Sequence, residues 1–533
     1  MNALDFFYDI NPFDAPDVGE VGSVLDGAQR EAKRWHVIKG PPGTGKTTTL
    51  VAKFELEAQT YSPDRIALVT FTNAARDEAI RKLCESNPGL SSDDLRYVRT
   101  LDSISLGLTR ADSTKLFTEK RQIEFRNANF PGIAPEIAKH YSSAIDRARV
   151  AGLTKQQMLT GLSPAVARRL DAGRLDRYYD AYEKYRQEHG LITFEDLRAI
   201  ALKKQLHPDV DVLIVDECQD LNSTMSQLVD AWATQCRKVY VAGDDDQSIY
   251  GFAGADPQWL IERFREHQGE VLAQSHRVPS LVHALALKAI QGVPGRISTP
   301  YLPTPVQGRV LTGIRAPQLA KLLVGKTNLV LARDAWALLP IKKELDLAGV
   351  LYTESRPDAP LLALAAMTKN LREGGTVVGR VLNTLFERRA LADDAPVRGR
   401  LAAVEGSQHY TLADLERLLG QHPVFTQIKA GTPSVLGKLT ARETLLVTRR
   451  WTGAQNGQVI LSTIHGAKGA EADVVAIVPD RSKTSYDAAA ADPKVAADEA
   501  RLLYVALTRT KDTLIWMYPM EPKNAFRAYT LPR

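Results

Sequence analysis

Gly40-Pro41-Pro42-Gly43-Thr44-Gly45-Lys46-Thr47, followed by Thr48, has the residue types and spacing to cradle a polyphosphate. Glycines let backbone N–H groups curl toward phosphate oxygens, Lys46 can reach the β- and γ-phosphates, and the Thr47 hydroxyl can ligate Mg2+. Such a site needs a second acid for the metal and a group that acts on water. Val212-Leu213-Ile214-Val215-Asp216-Glu217 supplies both. Its apolar run carries Asp216 to a sheet edge, and Glu217 is placed to orient or deprotonate the attacking water. Thr47, Asp216 and Glu217 are therefore the candidate metal group. Gly243–Tyr250 follows another apolar run and brings Gln247 to the same edge, where its amide can hydrogen-bond a γ-phosphate or the water. Tyr250 and Phe252 lie just beyond and offer ring faces to bases. Singly, these clusters also read as a glycine turn, acids closing a strand and core aromatics. Together they point to nucleotide hydrolysis.

The elements that must position these residues follow from the apolar pattern. Trp35–Lys39, Ile66–Thr70, Val212–Val215 and Val239–Ala242 are short apolar runs, with helical stretches at Thr47–Gln59 and Asn73–Cys84. This alternation implies an α/β fold: a parallel sheet covered by helices on both faces, with ligands at the carboxyl ends of its strands. Arg121–Asn127, Pro135–Arg149, Pro164–Arg174 and Leu175–Glu188 are charged amphipathic stretches without strand signals, read as a helical insertion. A second strand set comprises Asn328–Ala332, Val459–Ser462, Val474–Val478 and Leu514–Met517. The expected plan is a first α/β domain over residues 1–110 and 191–275, interrupted by 111–190. A second, over 276–370 and 456–533, is interrupted by a short insertion over 371–455.

At 533 residues the chain exceeds what one hydrophobic core supports. Hydrophobic residues at 44% and charged residues at 25% exclude a mainly disordered or collagen-like chain. A net charge of +5 permits nucleic-acid binding without arguing for it. Cys84, Cys218 and Cys236 form no CxxC pair, which argues against a cysteine zinc site and suits a reducing cytoplasm. The first 20 residues lack Lys and Arg, and no run of 18 apolar residues occurs, so neither a signal peptide nor a membrane span is expected.

Seven ordered segments resemble those of UvrD/Rep/PcrA-type superfamily 1A DNA helicases. They are GPPGTGKT (40–47), VTFTNAARDE (69–78), VDECQD (215–220), VAGDDDQSIYGFAGA (241–255), QSHR (274–277), LSTIHGAKGAE (461–471) and DEARLLYVALTRTK (498–511). The resemblance implies two RecA-like motor domains, each interrupted by a mainly helical subdomain, with ATP and Mg2+ bound between them. It implies that Gln29 recognises adenine, Lys46 and Thr47 hold phosphate and metal, and Asp216 and Glu217 are the metal and catalytic carboxylates. It makes Gln247 the γ-phosphate sensor, Arg277 and Arg509 the arginine fingers, and Glu471 the contact to the nucleotide sugar. His276 stands near adenine where Tyr is usual. Phe71, Asn73, Thr100, Tyr250, Phe252, Thr463 and His465 match positions that contact DNA, the partners being single-stranded DNA and single/double-strand junctions.

Some residues depart from the family pattern. Asp102 stands where His is common, and an acid there would repel a phosphodiester. Phe252 replaces a usual Trp, and Ala253 a usual Arg. The chain runs about 20 residues past the last of these segments, so no appended nuclease domain is expected. The reading is an ATP-dependent helicase moving 3′→5′ on one strand. The alternatives are a translocase that displaces proteins without unwinding, and a nucleotide-gated nucleic-acid sensor within a larger complex.

Overall fold

The structure is a computed structural model. It describes most residues between 34 and 526; outside it lie 1–33, 161–171, 383–403, 449–458, 527–533 and shorter gaps, many of them between 349 and 448. The first sheet contains β1 (Trp35–Lys39), β2 (Ile66–Thr70), β3 (Val98–Thr100), β4 (Val212–Val215), β5 (Lys238–Gly243) and β6 (Glu270–Val271). All are parallel, in the order β3-β2-β4-β5-β1-β6. The apolar runs are continuous because both faces are covered. Ala67, Val69, Leu213, Val215 and Val239 face a core with Trp232. Their neighbours Ile66, Leu68, Val212, Ile214 and Tyr240 face another with Leu50 and Phe54.

The second sheet contains β7 (Arg309–Ile314), β8 (Asn328–Ala332), β9 (Tyr352–Glu354), β12 (Val459–Thr463), β13 (Ala472–Val478) and β14 (Thr510–Met517). It is also parallel, in the order β7-β14-β13-β8-β12-β9. Its faces separate in the same way, Leu329, Leu331, Val475 and Ile477 into one core and Val330, Ala476 and Ile515 into the other. Ile249, from the loop after β5, is buried in the second sheet's core, and Tyr250 packs against it. The two lobes are thus interlocked beside the candidate site.

The first insertion packs the helices Glu119–Asn129, Pro135–Val150 and Ala172–His189 around Phe125, Tyr141, Tyr178 and Tyr182. Most of the stretch Pro164–Arg174 lies outside the described residues. The second insertion differs from the sequence reading in two ways. Helix Ala359–Arg372 buries Leu364, Ala365 and Leu371 with Leu415, Phe425 and Ile428, so the boundary falls before this helix rather than at 370/371. The insertion also carries a small antiparallel ladder, β10 (Val377–Val378) with β11 (His409–Tyr410).

Candidate active site and nucleic-acid interface

β1 ends at Lys39, and Gly40 N donates to Gly243 O at 3.0 Å, tying the phosphate loop to the end of β5. Gly43 and Gly45 have φ of 76° and 82°, which a side chain would strain. Gly45 turns the chain into the helix Lys46–Glu57, whose first N–H groups and dipole face the loop. Lys46 folds back over the loop, its Nζ donating to Gly40 O at 2.7 Å. A Cβ at Gly40 would sit 2.2 Å from Lys46 Cγ, so any side chain there would displace Lys46 from this position.

Across the loop, Thr47 Oγ1 donates to Asp216 Oδ2 at 2.7 Å. A hydroxyl and a carboxylate converging in this way are hard oxygen donors, which fit Mg2+. Glu217 follows in the left-handed region at φ 52°, a costly conformation for a non-glycine residue. Its N–H donates to Asp216 Oδ1 at 2.8 Å, and the Gln219 amide donates to its carboxylate. Burial and the Glu217 charge push Asp216 up to about 6. Burial opposes the charge on Glu217 too, but Lys46, Lys468 and the Gln219 hydrogen bond outweigh it and hold that carboxyl below its ordinary range. Glu217 is therefore kept as an anion, as a base for water requires.

After β5, Gln247 Nε2 donates to Asp244 Oδ2 at 2.7 Å, and Gln219 Oε1 accepts from Asp244 N at 3.0 Å. Asp244, Asp245 and Asp246 are grouped closely enough to hold a cation. The ammonium of Lys39 occupies that role: its Nζ lies 2.5 Å from Asp245, 3.6 Å from Asp246 and 3.8 Å from Asp244. Burial would lower the Lys39 pKa, but the three carboxylates outweigh it and raise it.

The opposite wall comes from the second lobe. Arg509, 2% exposed, donates from Nη2 to Gln247 Oε1 at 3.0 Å, from Nε to Val505 O at 3.0 Å and from Nη1 to Ala470 O at 3.3 Å. Arg277 pairs with Glu471, which also takes Lys511 at 2.5 Å. Burial opposes the Glu471 charge, but Arg277 and Lys511 outweigh it and lower its pKa. Lys46, Thr47, Glu217, Gln247, Arg277 and Arg509 line one cleft, together with Pro42–Gly45 and Thr48. His276 is exposed, and its N–H donates to Gly43 O at 2.8 Å. Gln29 lies outside the described residues.

Several cleft residues were not singled out from sequence. Lys468 Nζ pairs with Asp220 and donates to Gln247 O at 2.9 Å, crossing between the lobes. Burial pushes Asp220 up to about 6 despite that partner. Lys82 lines the cleft from helix Asn73–Ser86. The chain leaving the first sheet also returns to the phosphate loop. Ser275 Oγ and Tyr301 OH donate to Pro42 O at 2.9 and 3.0 Å. Lys39 Nζ donates to Ile297 O at 2.6 Å, and Arg296 forks onto Asp246. No local pattern around Lys39 marks this cluster, because its pairing with Asp244, Asp245 and Asp246 is tertiary.

Several of the candidate polynucleotide contacts lie at or just beyond strand ends. Thr70 and Thr100 are register partners at the ends of β2 and β3. Phe71 follows the first and packs partly on the core; Asn73, exposed, opens its helix and accepts from Arg76 at 3.0 Å. Thr100 caps helix Leu101–Thr109, accepting from Ser103 N. Tyr250 OH donates to His465 O at 3.3 Å, and Thr463 Oγ1 accepts from Gly466 N at 3.2 Å. Phe252 lies in the turn Gly251–Ala253, its side chain outside the described residues. Asp102 is not the bare acid expected: Arg198 neutralises it through two hydrogen bonds.

The family model described as UvrD/REP helicase N-terminal domain matches residues 26–268, and that of the UvrD-like helicase C-terminal domain matches 382–521. ATP-dependent DNA helicase UvrD2 of Mycobacterium tuberculosis is 24% identical, over 91% of this chain and 77% of its own length. DNA helicase II of Salmonella typhimurium is 27% identical over 53% of this chain and 42% of its own. ATP-dependent DNA helicase Rep of Escherichia coli is 25% identical over 41% of this chain and 35% of its own. Among the described residues no helix is long and apolar enough to cross a membrane.

Proposed function

The chain belongs to the UvrD/Rep-type superfamily 1A helicases, and from that premise we propose that it is an ATP-hydrolysing DNA motor of the cytoplasm. We propose that it moves 3′→5′ on single-stranded DNA and separates strands at junctions. The observation that carries the motor reading is the contact from Arg509 of the second lobe to Gln247 of the first, across a cleft shared with Lys46 and Glu217. Lys46 and the loop N–H groups bind the phosphates. Thr47 and Asp216 would hold Mg2+, which neutralises charge on the phosphate oxygens when bound. Glu217 takes the proton of the attacking water, and Gln247 orients that water. Arg277 and Arg509 meet the charge that develops on the equatorial oxygens. Because the fingers and the loop belong to different lobes, hydrolysis is tied to lobe closure, and stacking on aromatic faces lets the strand advance regardless of sequence.

The test is ATP turnover with and without single-stranded DNA, beside unwinding of duplexes with 3′ or 5′ tails. Stimulated turnover and unwinding from a 3′ tail are expected. Turnover indifferent to DNA defeats the motor reading. Displacement of streptavidin from a strand without unwinding of a fork leaves only the translocase.

A further inference from the structure

Helix Phe194–Lys203 returns the chain from the first insertion to the first sheet, and three regions meet at its first turn. Asp196, part of its capping box, accepts from Arg149 Nη2 at 2.6 Å and Arg186 Nη2 at 2.5 Å, both on the insertion. Arg198 reaches elsewhere. Its Nε and Nη2 donate to the two oxygens of Asp102 at 2.7 and 2.9 Å, and its Nη1 donates to Glu195 Oε1 at 2.5 Å. The same Glu195 oxygen accepts from Asn222 Nδ2 at 2.7 Å. The Arg198 side chain is 6% exposed and that of Asp102 28%.

Both ends of this chain of contacts matter. Asp102 is in the first turn of the helix that Thr100 caps, at the candidate polynucleotide edge. Asn222 caps helix Ser223–Ala233, two residues beyond Asp220, which holds Lys468. Its backbone also bridges Ala255, at the end of the loop that carries Tyr250. One guanidinium therefore joins the polynucleotide edge to the segment containing Glu217. A planar fork with all three nitrogens engaged fixes the angle between the two helices, which a lysine cannot do.

We infer that Arg198 is a positioning residue for nucleic-acid-stimulated ATP hydrolysis. It neutralises Asp102 where a phosphodiester passes Thr100, and it links occupancy of that edge to the Asp216–Asp220 segment. The inference rests on the polynucleotide role proposed above. A contiguous network of this kind changes coupling by roughly two- to thirtyfold.

The experiment measures single-stranded DNA affinity at one fixed ionic strength, with basal and DNA-stimulated turnover, in the full chain. Arg198→Met is expected to weaken DNA binding several-fold and to lower stimulated turnover about tenfold, with basal turnover within about twofold. Adding Asp102→Asn to Arg198→Met removes the repelling acid, so binding recovers while stimulation stays low. Loss of basal and stimulated turnover in parallel, or binding that Asp102→Asn fails to rescue, overturns the assignment. Should Arg198→Met not fold, Arg198→Lys keeps the charge without the fork. Near-normal binding with reduced stimulation is then expected, and full stimulation overturns the assignment. Absence of stimulation in the unaltered chain defeats the motor reading itself. Stimulation preserved in every variant defeats only the role of Arg198.

Discussion

Arg509→Lys separates the charge of the second-lobe finger from its shape. The guanidinium uses its three nitrogens on Val505 O, Ala470 O and Gln247 Oε1. An ammonium is a single donor centre and cannot span all three, so it loses the fixed orientation toward Gln247 while keeping the positive charge. An arginine finger is worth roughly 10³–10⁵ in rate, or about 4–7 kcal/mol of transition-state stabilisation. Lysine retains the charge, so the expected loss in kcat lies near the lower end, about 10³-fold, and Arg509→Ala near the upper. Phosphate release at saturating single-stranded DNA measures kcat, and fluorescent-nucleotide titration measures binding, expected to stay within about tenfold because the finger acts mainly on developing charge. Thermal melts check that the buried site still folds. Because Arg509 touches Gln247, adding Gln247→Ala should cost much less than the product of the two single effects. A kcat within tenfold of wild type with normal binding, or strictly multiplicative losses, refutes the cross-lobe reasoning.

Glu217→Gln should retain ATP while lowering turnover by roughly 10²–10⁴, measured by nucleotide retention and phosphate release; near-normal turnover would remove Glu217 as the base. Gly43→Ala places a Cβ 2.5 Å from Arg277 Cβ at a φ of 76°, so KM for ATP should rise at least about tenfold. An unchanged KM would show that the loop yields. Burial pushes Asp146, which accepts from Tyr182 OH, up to about 7. The folded state then holds a proton that the unfolded state releases, so this group's stabilisation is present at about pH 4 and lost as pH rises toward 7. Relative to Asp146→Asn, the wild type should lose on the order of 4 kcal/mol at most over that range by chemical denaturation. A constant difference between the two proteins would contradict the burial argument.

The strands legible in the sequence and those that were not divide by position. Trp35–Lys39, Ile66–Thr70, Val212–Val215 and Asn328–Ala332 sit inside their sheets, where covering both faces demands unbroken apolar runs. The unread strands of the two large sheets, β3, β6, β7 and β9, are all edges, and the unread pair β10 and β11 forms a ladder of only two strands. β7 has no fully buried residue and carries Arg309, Thr312 and Gly313, so no unbroken apolar run marks it. The cleft was legible where chemistry fixes local spacing, as at Lys46, Asp216 and Gln247. Lys468 and Lys39 were missed because a lone lysine is normally solvated, and only tertiary pairing shows otherwise. Arg198 and Asp102 are 96 residues apart, and nothing in either local pattern announces their partnership.

The passage from Ser275 to Tyr301 holds the phosphate loop from the side of the second lobe. With Pro42, Lys39 and Asp246 all gripped from that passage, the cleft resembles a door hung on its frame. The jamb is the phosphate loop, and the leaf is the wall bearing Arg509 and Lys468. Helix Ser280–Ile290, inside that passage, shares the second lobe's core with Leu502–Leu507 beside Arg509, so parting the lobes has to break the grip on the phosphate loop together with Lys468–Asp220.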